Sequence, residues 1–526
     1  MKKTIAFILA AALAAGTVLS GCSGKDSQSA GTDGKQKITY WAAINVNAVS
    51  VIQNYDELLM YQELEKKFNV DLEFKHPPAG QEVEQFNLLI SSRDLPDMVE
   101  YGWLNYKGGP GKAISDNIII SINDYMDSSA PNLKKLIEQK PDLEKQLTTD
   151  KGDYYVMPAL SYDTYTNFGG LFLRKDWLED LNMAVPETID EWETVLTAFK
   201  DQKGATAPLS YIKEYLSMAE NNTWHNAFGT GRSFYLDNGK VKYAPAEQGY
   251  KEYIQTMKRW LDNGLLDQDI ISNDWKNVDS KVLSGKTGAV TGALGAKFGK
   301  YMTLAREGGD ERFAMVAAPV PVKNKGDVPK FKSVMQEYDG SGSVAITTKN
   351  KNPELSVRIM DYFYSDEGAM LKNFGVEGVT YTLQDGEPVY TDLITKNPDG
   401  LAIAQAMAKY TRCNVNAPGL NNDKRYLDQY YTFPEMKEAI KVYNEYAEEC
   451  RETNYPAAAS FTTEEASEVS TIQQEIDTYR NEIFVKFLLG TEPLDNFDQY
   501  VEKLNQIGLP RILEIKQAAY ERYIQK

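Results

Sequence analysis

The sequence predicts an α/β protein whose first sheet is parallel. Segments with the apolar pattern of strands occupy 38–41, 70–74 and 96–101. Between them, 56–68 and 84–92 carry apolar side chains at helical spacing. A strand–helix–strand–helix–strand order is typical of parallel sheets, because parallel neighbours need a crossover connection. We therefore expect these strands to lie side by side in one sheet.

The same alternation continues through the middle of the chain. A capping box at Thr188 and Glu191 predicts the start of one helix, and Gly264 is placed to end another helix over 250–261. The region beyond residue 400 is predicted to be largely helical. Further strands are predicted at 170–173, 288–292, 313–320 and 344–347.

The N-terminus has the features of an export signal. Two lysines precede an uncharged, alanine-rich run over 5–18, and small residues lead from it to Cys22. The run is shorter than the about 20 apolar residues of a membrane-spanning helix, so we predict a signal peptide over 1–21. The small residues before Cys22 resemble the lipobox of bacterial lipoproteins, which implies that this cysteine is lipidated; the alternative is an ordinary cleaved signal with an incidental cysteine. Residues 22–36 hold no large aliphatic side chain, which predicts a flexible tether with a reach of about 20 Å.

The composition of the remaining chain limits the classes of function. Aspartate and glutamate number 75 against 57 lysines and arginines, and such an acidic surface disfavours nucleic acid as a partner. Two histidines exclude a histidine-rich metal site. Cys413 and Cys450 do not form a disulfide framework, and the sequence leaves their pairing open. The 33 tyrosines and 7 tryptophans favour a protein that holds sugar rings, although many of these rings must belong to the core.

Several stretches are similar to those of a known family. Ser91 to Asp97 resembles the "SGDLPD" stretch of extracellular solute-binding proteins, which are the lipoproteins that serve carbohydrate ABC importers. Further stretches resemble the start of that family's second domain and its long subgroup from Firmicutes, the LplA type, and they lie at 170–178, 186–199, 365–368, 374–378 and Tyr381.

The resemblance implies a type II periplasmic-binding-protein-like fold of two α/β lobes, with hinge strands between the lobes and helices at the C-terminal end. The first lobe would comprise 37–160 plus a return near 310–355, and the second 161–309 plus 356–526. The implied function is capture of an oligosaccharide at the extracellular face of the cell membrane for delivery to an ABC permease. The loop after Phe199 lacks the spaced acidic oxygens of a calcium site, so we expect no calcium at this loop. We also expect a monomer that holds no metal and no cofactor.

Two other classes of function stay open. A secreted glycoside hydrolase or lyase needs two carboxylates across a sugar bond, about 5 to 9.5 Å apart. With 75 acidic residues, the sequence does not identify or exclude such a pair. No H-E-x-x-H, G-x-S-x-G or C-x-x-C motif is present. The same fold also serves surface receptors that present a ligand to a sensor, and the sequence does not separate that role from import.

The candidate ligand-binding residues are aromatic and polar side chains in loops. Oligosaccharides are apolar on their ring faces and polar on their edges, so a receptor needs both aromatic planes and hydrogen-bonding groups. Loops after the carboxyl ends of parallel strands face the ligand crevice, which favours the loops after 38–41 and 96–101. Trp224 resembles the second-lobe aromatic of maltose-type binding proteins, and Glu377 and Tyr381 are included on the family resemblance. The predicted set is Trp41, Asn45, Asn47, Tyr101, Trp103, Trp224, Trp275, Phe298, Tyr301, Glu377 and Tyr381.

Overall fold

The structure is a computed structural model, and it describes residues 34–161, 167–217, 224–332, 334, 336–338, 340–413 and 417–526. The predicted signal peptide over 1–21, Cys22 and most of the tether lie outside the described residues. Gln36, which we assigned to the tether, is instead the first residue of the first strand, where it pairs with Val70. Its side-chain oxygen accepts a hydrogen bond from Asn352 Nδ2 at 3.0 Å, so the folded body includes this residue.

The strands and helices follow the alternation expected from the sequence. The strands are β1 (Gln36–Trp41), β2 (Val70–Lys75), β3 (Met98–Tyr101), β4 (Ala159–Ser161), β5 (Gly169–Arg174), β6 (Phe234–Asp237), β7 (Lys240–Tyr243), β8 (Ala289–Ala293), β9 (Met315–Ala317), β10 (Ser343–Ile346), β11 (Tyr381–Gln384), β12 (Glu387–Tyr390) and β13 (Gly419–Asn421). The α-helices in the first half of the chain are α1 (Leu59–Phe68), α2 (Glu82–Ser92), α3 (Gly109–Ser115), α4 (Asn123–Ser129), α5 (Pro131–Gln139), α6 (Pro141–Leu147), α7 (Lys175–Asp180), α8 (Ile189–Lys203), α9 (Lys213–Ser217) and α10 (Gln248–Asp262). Those in the second half are α11 (Trp275–Leu283), α12 (Lys300–Glu307), α13 (Pro353–Asp361), α14 (Asp366–Phe374), α15 (Asp392–Thr395), α16 (Ile403–Tyr410), α17 (Lys424–Tyr430), α18 (Pro434–Asn444), α19 (Ala447–Arg451), α20 (Thr463–Leu489), α21 (Phe497–Ile507) and α22 (Leu509–Gln525).

The first sheet has the strand order β10-β3-β1-β2. β1 runs parallel to both β2 and β3, so that Trp41 lies beside Lys75 on one side and Val99 on the other. α1 and α2 form the crossovers between these strands. β10 joins the edge of β3 in the antiparallel sense. The predicted parallel opening is confirmed, and a strand from much later in the chain completes the sheet.

The second sheet has the order β8-β5-β9, and β5 runs antiparallel to both neighbours. α8 packs beside it and begins at the predicted capping box. The Thr188 hydroxyl accepts a hydrogen bond from Glu191 N at 3.3 Å, while the Glu191 carboxylate accepts one from Thr188 N at 3.2 Å. This reciprocal bonding satisfies amides that the first helical turn leaves free.

The lobe boundaries lie at different residues from those inferred from the resemblance. Met315, in the inferred return to the first lobe, is buried beside β5 in the second lobe. The part of α13 from Ser356 onward, which we placed in the second lobe, packs in the first-lobe core through Val357. Val322 still pairs with Thr188 of the second lobe, and packing in the first-lobe core resumes at Tyr338 and includes Tyr364. The parallel pair β4 and β13 lies where the chain crosses between the two lobes.

The C-terminal helices belong to the second-lobe core but also contact the first lobe. α20, α21 and α22 pack on that core, and α20 also contacts α3. At the end of α22, Lys526 Nζ lies 3.2 Å from Asp150 Oδ1 and Arg522 Nε lies 3.5 Å from Asp150 Oδ2. Asp150, in the turn after α6, also accepts a hydrogen bond from Ser460 Oγ at 2.6 Å. These four residues form the Asp150 cluster, which joins the two lobes.

The two cysteines of the folded body do not pair with each other. Cys413 and Cys450 are both buried free thiols, and they belong to different packing clusters. Among the helices of the described ranges, none has the length and apolar content that would let it cross a bilayer.

Candidate functional site

A cavity of about 550 Å³ lies at the carboxyl ends of β1 and β3, where the crossing segments meet the first lobe. This is the edge of the sheet at which ligands bind in parallel α/β folds. The residues that line the cavity are Trp41, Ala43, Ile44, Asn45, Tyr55, Glu82, Glu100, Tyr101, Phe168, Ser341, Gly342, Arg412 and Asn422.

Aromatic rings from two parts of the chain border the cavity. Trp41 and Tyr101 are the last residues of β1 and β3, and their ring centroids lie 6.3 Å apart in an edge-to-face arrangement. Tyr101 is half-buried, and one face of its ring stacks on Phe86 at 3.6 Å between centroids. Phe168, half-buried, enters from the segment before β5. Trp41 is only 6% exposed, so Tyr101 and Phe168 offer more ring surface to a ligand.

A buried ion pair forms part of the cavity wall. Arg412 Nη2 donates to Glu100 Oε1 at 2.7 Å, and both side chains are less than a tenth exposed. The other oxygen of Glu100 accepts from Tyr40 OH at 2.6 Å, while Arg412 Nη1 donates to Tyr61 OH at 2.9 Å. The guanidinium also lies 4.3 Å from the ring centroid of Tyr55. These contacts fix the charges of the wall in place.

The charge state of Arg412 follows from this environment. Burial has the largest single effect and lowers the pKa of the guanidinium, but the Glu100 carboxylate and the neighbouring tyrosines together outweigh it and hold that pKa above its ordinary value. Burial raises the pKa of Tyr40, and the Glu100 carboxylate raises it further. The arginine is therefore charged, and the tyrosine that supports its partner is a neutral donor.

Amide groups supply neutral polar surface. Asn45 N donates to Tyr55 OH at 3.0 Å, and Asn45 Oδ1 accepts from Asn47 N at 2.8 Å, which fixes the loop after β1. Asn45 lines the cavity, whereas Asn47 supports the loop and does not line it. Asn422, after β13, lines the opposite part and donates to Ser161 Oγ at 3.3 Å.

A buried lysine holds the crossing strand that carries Asn422. Lys372 Nζ donates to the carbonyl oxygens of Ala417 at 3.0 Å and Leu420 at 3.2 Å, and it also bonds Asn421 Oδ1. Burial, followed by the nearby Arg412 charge, lowers the pKa of this amine well below its ordinary value. Lys372 thus holds β13 against α14 through three neutral oxygen acceptors, and no carboxylate takes part in this contact.

Two of the predicted tryptophan platforms are core side chains. Trp103 is 0% exposed, and its indole Nε1 donates to Val99 O at 3.1 Å. Trp224 is 1% exposed and packs edge to face with Trp192 at 4.9 Å and Trp260 at 5.3 Å. A ring buried on all sides has no free face for a sugar, so we omit both residues from the site.

The predicted residues of the second lobe are not brought to this cavity. Phe298 and Tyr301 are both fully buried, and Tyr301 OH donates to Asp279 Oδ1 at 2.7 Å. Trp275 is half-buried at the start of α11, and its ring lies 4.1 Å from Lys297 Nζ. Lys297 therefore covers the ring of Trp275 at the position where a sugar would stack.

The two residues chosen on family resemblance lie elsewhere. Glu377 is exposed, and Tyr381 is 7% exposed. Both line a second cavity of about 780 Å³, together with Lys67 and Arg425. This cavity shares no lining residue with the one at β1 and β3, so the structure separates Glu377 and Tyr381 from Trp41 and Tyr101.

The structure adds residues that the sequence did not single out. They line the cavity from separate parts of the chain, and they are Glu100 in β3, Phe168 before β5, and Arg412 and Asn422 on either side of β13. The one signal in the sequence was Glu100 itself, an acidic residue within the apolar strand 98–101. A carboxylate buried in a strand needs a partner, so its position could have indicated a polar site. Among the described residues, no cluster of three histidine, cysteine or acidic side chains is arranged to hold a metal ion.

Comparisons with known proteins place the chain in a family. The sequence profile of the bacterial extracellular solute-binding proteins matches residues 49–370, which is more than half of the 526 residues. The chain belongs to this family. Among curated relatives of this solute-binding protein, the fructooligosaccharide ABC transporter substrate-binding protein FusA of Streptococcus pneumoniae is 25% identical over 504 residues, covering 89% of this chain and 87% of FusA. The polygalacturonan/rhamnogalacturonan-binding protein YtcQ of Bacillus subtilis is 24% identical over 536 residues, covering 97% of each chain.

Solved structures support the fold of this solute-binding protein. The alginate-binding protein AlgQ2, in a structure without calcium ion, has a TM-score of 0.73 and 25% identity, over 92% of this chain and 98% of AlgQ2. FusA in complex with kestose has a TM-score of 0.70 at 22% identity, over 93% of this chain and 99% of that one, which supports the fold alone. The two-lobe, type II periplasmic-binding-protein-like fold expected from the sequence is confirmed.

Proposed function

We propose that this solute-binding protein captures an oligosaccharide in the cavity at β1 and β3 and delivers it to an ABC permease. The observation that carries the proposal is the composition of the cavity wall. Tyr101 and Phe168 supply ring surface, and Asn45 and Asn422 supply neutral hydrogen-bonding groups. Sugar rings need this combination of surfaces. FusA and YtcQ, which are named for saccharide ligands, give independent support.

The position of the cavity also fits a receptor that closes on its ligand. Asn45 and Tyr101 belong to the first lobe, whereas Phe168 and Asn422 belong to crossing segments. A ligand that contacts both parts stabilises the arrangement in which they are close together. We expect a dissociation constant near the micromolar range, which corresponds to about 8 kcal/mol.

The same wall argues for binding without bond cleavage. Glu82 and Glu100 are the carboxylates that line the cavity. Glu100 is bonded to Arg412 and Tyr40, so it is not free to exchange a proton with a glycosidic oxygen. A glycosidase needs two working carboxylates, and the described residues of this wall offer one that is not already paired.

A saccharide screen with product analysis tests the proposal. The soluble protein without residues 1–22 is titrated with oligosaccharides by calorimetry, and each mixture is chromatographed after long incubation. We expect tight binding and unchanged sugar. Shortened products would contradict the binding role and favour an enzyme. In cells, deletion of the gene should abolish uptake of the bound sugar; retained uptake with loss of induction would favour the sensor role instead.

We also propose that lipidated Cys22 anchors the protein at the extracellular face of the cell membrane. The proposal rests on the charged start, the apolar run and the small residues before Cys22. Cys22→Ala should move the protein from the membrane to the soluble fraction, while Ser23→Ala should leave it membrane-bound. Membrane retention of a Cys22→Ala protein whose signal has been removed would contradict a lipid anchor.

A further inference from the structure

We propose that the cavity selects neutral oligosaccharides and discriminates against those built from uronic acids. The inference rests on the proposed function, and it concerns the charge of the same cavity. FusA is named for a neutral saccharide and YtcQ for acidic ones, so family membership does not decide between the two classes. The charged groups of the cavity wall do.

The part of the cavity wall that the structure describes lacks a cation that is free to bind a carboxylate. Arg412 is the one lysine, arginine or histidine among the described residues that line it. Its side chain is 4% exposed, and its charge is matched by Glu100 at 2.7 Å. Of its three guanidinium nitrogens, Nη2 is bonded to this carboxylate and Nη1 to Tyr61 OH, and Nε has no hydrogen-bond partner among the described residues but is itself buried. Both terminal nitrogens of the guanidinium are therefore already used within the protein, and they are not free to make the two-pronged contact by which arginine holds a carboxylate.

Once this pair is balanced, the wall carries a net negative charge. Glu82 lines the cavity and is half-buried at the start of α2. Its carboxylate accepts a hydrogen bond from Gly80 N at 2.8 Å, and among the described residues no cation forms an ion pair with it. A uronate brought into the cavity would meet this carboxylate without a compensating charge, which weakens binding.

The internal residues that the structure leaves undescribed do not change the sign of this balance. Taken from the sequence alone, the stretches 162–166, 218–223 and 414–416 and the positions 333, 335 and 339 hold no lysine and no arginine. They do hold Asp163, Glu220 and Asp339. The remaining polar groups of the wall, such as Asn45 and Asn422, are neutral and suit hydroxyl groups.

Matched neutral and acidic probes test the inference. The soluble protein is titrated with neutral fructo-, gluco-, galacto-, manno- and xylo-oligosaccharides, and with oligogalacturonate and alginate oligomers. Each acid is also tested as its methyl ester, which removes the charge but keeps the ring stereochemistry. We expect the best neutral ligand to bind at least about tenfold more tightly than any uronate, and each ester to bind more tightly than its acid. A uronate that binds as tightly as the best neutral sugar would overturn the inference and leave the proposed function intact. If no saccharide of either class binds, both fall.

A charge variant locates the source of the discrimination. Glu82→Gln removes the uncompensated carboxylate, so the ratio of neutral to uronate affinity should fall several-fold. Glu84→Gln is the matched control, because Glu84 is an exposed acid on the same helix that does not line the cavity. An unchanged ratio in Glu82→Gln, or an equal fall in Glu84→Gln, would contradict the role of Glu82.

Discussion

Arg412 and Glu100 lie 312 residues apart in the chain and form a buried ion pair in the wall of the cavity. The pair joins the segment before β13 to the end of β3. It therefore fixes a crossing segment to the first sheet at the place where the ligand is proposed to bind.

Removal of either partner of the pair should destabilise the protein strongly. Glu100→Gln leaves Arg412 buried without its counter-charge, and Arg412→Met does the same to Glu100, so each should cost about 3 to 5 kcal/mol in unfolding free energy. The double variant should cost less than the sum of the two single variants. Urea denaturation measures all three. Glu438→Gln, in an exposed pair with Lys441, is the control and should change nothing measurable. Additive single costs would show that the two groups do not act together.

Tyr101 and Phe168 should contribute to binding, whereas Trp224 should contribute to stability. Tyr101→Ala or Phe168→Ala removes half-buried ring surface from the cavity and should weaken sugar binding by about 1 kcal/mol. Trp224→Ala leaves a hole in the second-lobe core and should lower the unfolding free energy by about 3 to 5 kcal/mol, with little change in affinity of the folded protein. Calorimetry and urea denaturation on the same samples separate the two effects. A loss of affinity in Trp224→Ala without loss of stability would restore Trp224 as a platform.

The Asp150 cluster should bias the arrangement of the two lobes. Asp150→Asn weakens contacts to Arg522 and Lys526, which are partly exposed, so the cost should be about 1 kcal/mol. The arrangement in which Asp150 contacts Arg522 and Lys526 should then be less populated, and the distribution of interlobe distances in the free protein should broaden. Spin-label distance measurements between the lobes detect this. Asp127→Asn is the control, since its partner Lys134 lies in the same lobe. An equal change in both variants would exclude a role in lobe arrangement.

The stability of the second lobe should depend on pH through His225. This ring is 1% exposed and lies 4.4 Å from Tyr253 between centroids. Burial, followed by the charge of Arg232, lowers the pKa of His225 to about 3. The folded-state pKa thus lies below the unfolded value of about 6.5, so the unfolded state binds the extra proton between these values. The stability that depends on a neutral His225 is fully present above about pH 6.5. It is lost as the pH falls towards 3, at up to about 1.4 kcal/mol of unfolding free energy per pH unit.

Nuclear magnetic resonance tests the titration directly, because the chain holds only two histidines. The His225 imidazole should stay neutral at pH 5, and His225→Phe identifies its signals by removing them. The same variant should show a smaller loss of stability between pH 7 and pH 5. Titration of both histidines near pH 6.5 would contradict the assigned burial of His225.

The parts of the fold that depend on local signals were predictable from the sequence. The strands and helices of the first sheet follow from apolar periodicity, and the start of α8 follows from Thr188 and Glu191, which lie three residues apart. The closing strand β10 was predicted as a strand, but its pairing with β3 was not. That pairing joins Met98 to Ile346, and nothing local to either segment specifies it.

The candidate site was only partly predictable, because ring orientation is not a local property. Tyr101 ends β3 and Trp103 lies two residues beyond it, yet Tyr101 lines the cavity and Trp103 is turned inward to bond Val99 O. Trp224 stands next to His225, which suggested a solvent-facing loop, but both are buried. Polar neighbours therefore indicate a loop without indicating which side chains face outward. The Arg412–Glu100 pair shows the same limit over a longer separation.

The antiparallel addition of β10 to β3 also governs how the chain acquires its structure during synthesis. A ribosome releases the chain from its N-terminus, so β1, β2 and β3 emerge more than 240 residues before their fourth strand at Ser343–Ile346. Until then, the outer edge of Met98–Tyr101 offers free amide and carbonyl groups to any neighbouring strand. A chain truncated before β10 leaves this edge unpaired, so it should aggregate more readily than the full chain, which light scattering of the two proteins measures.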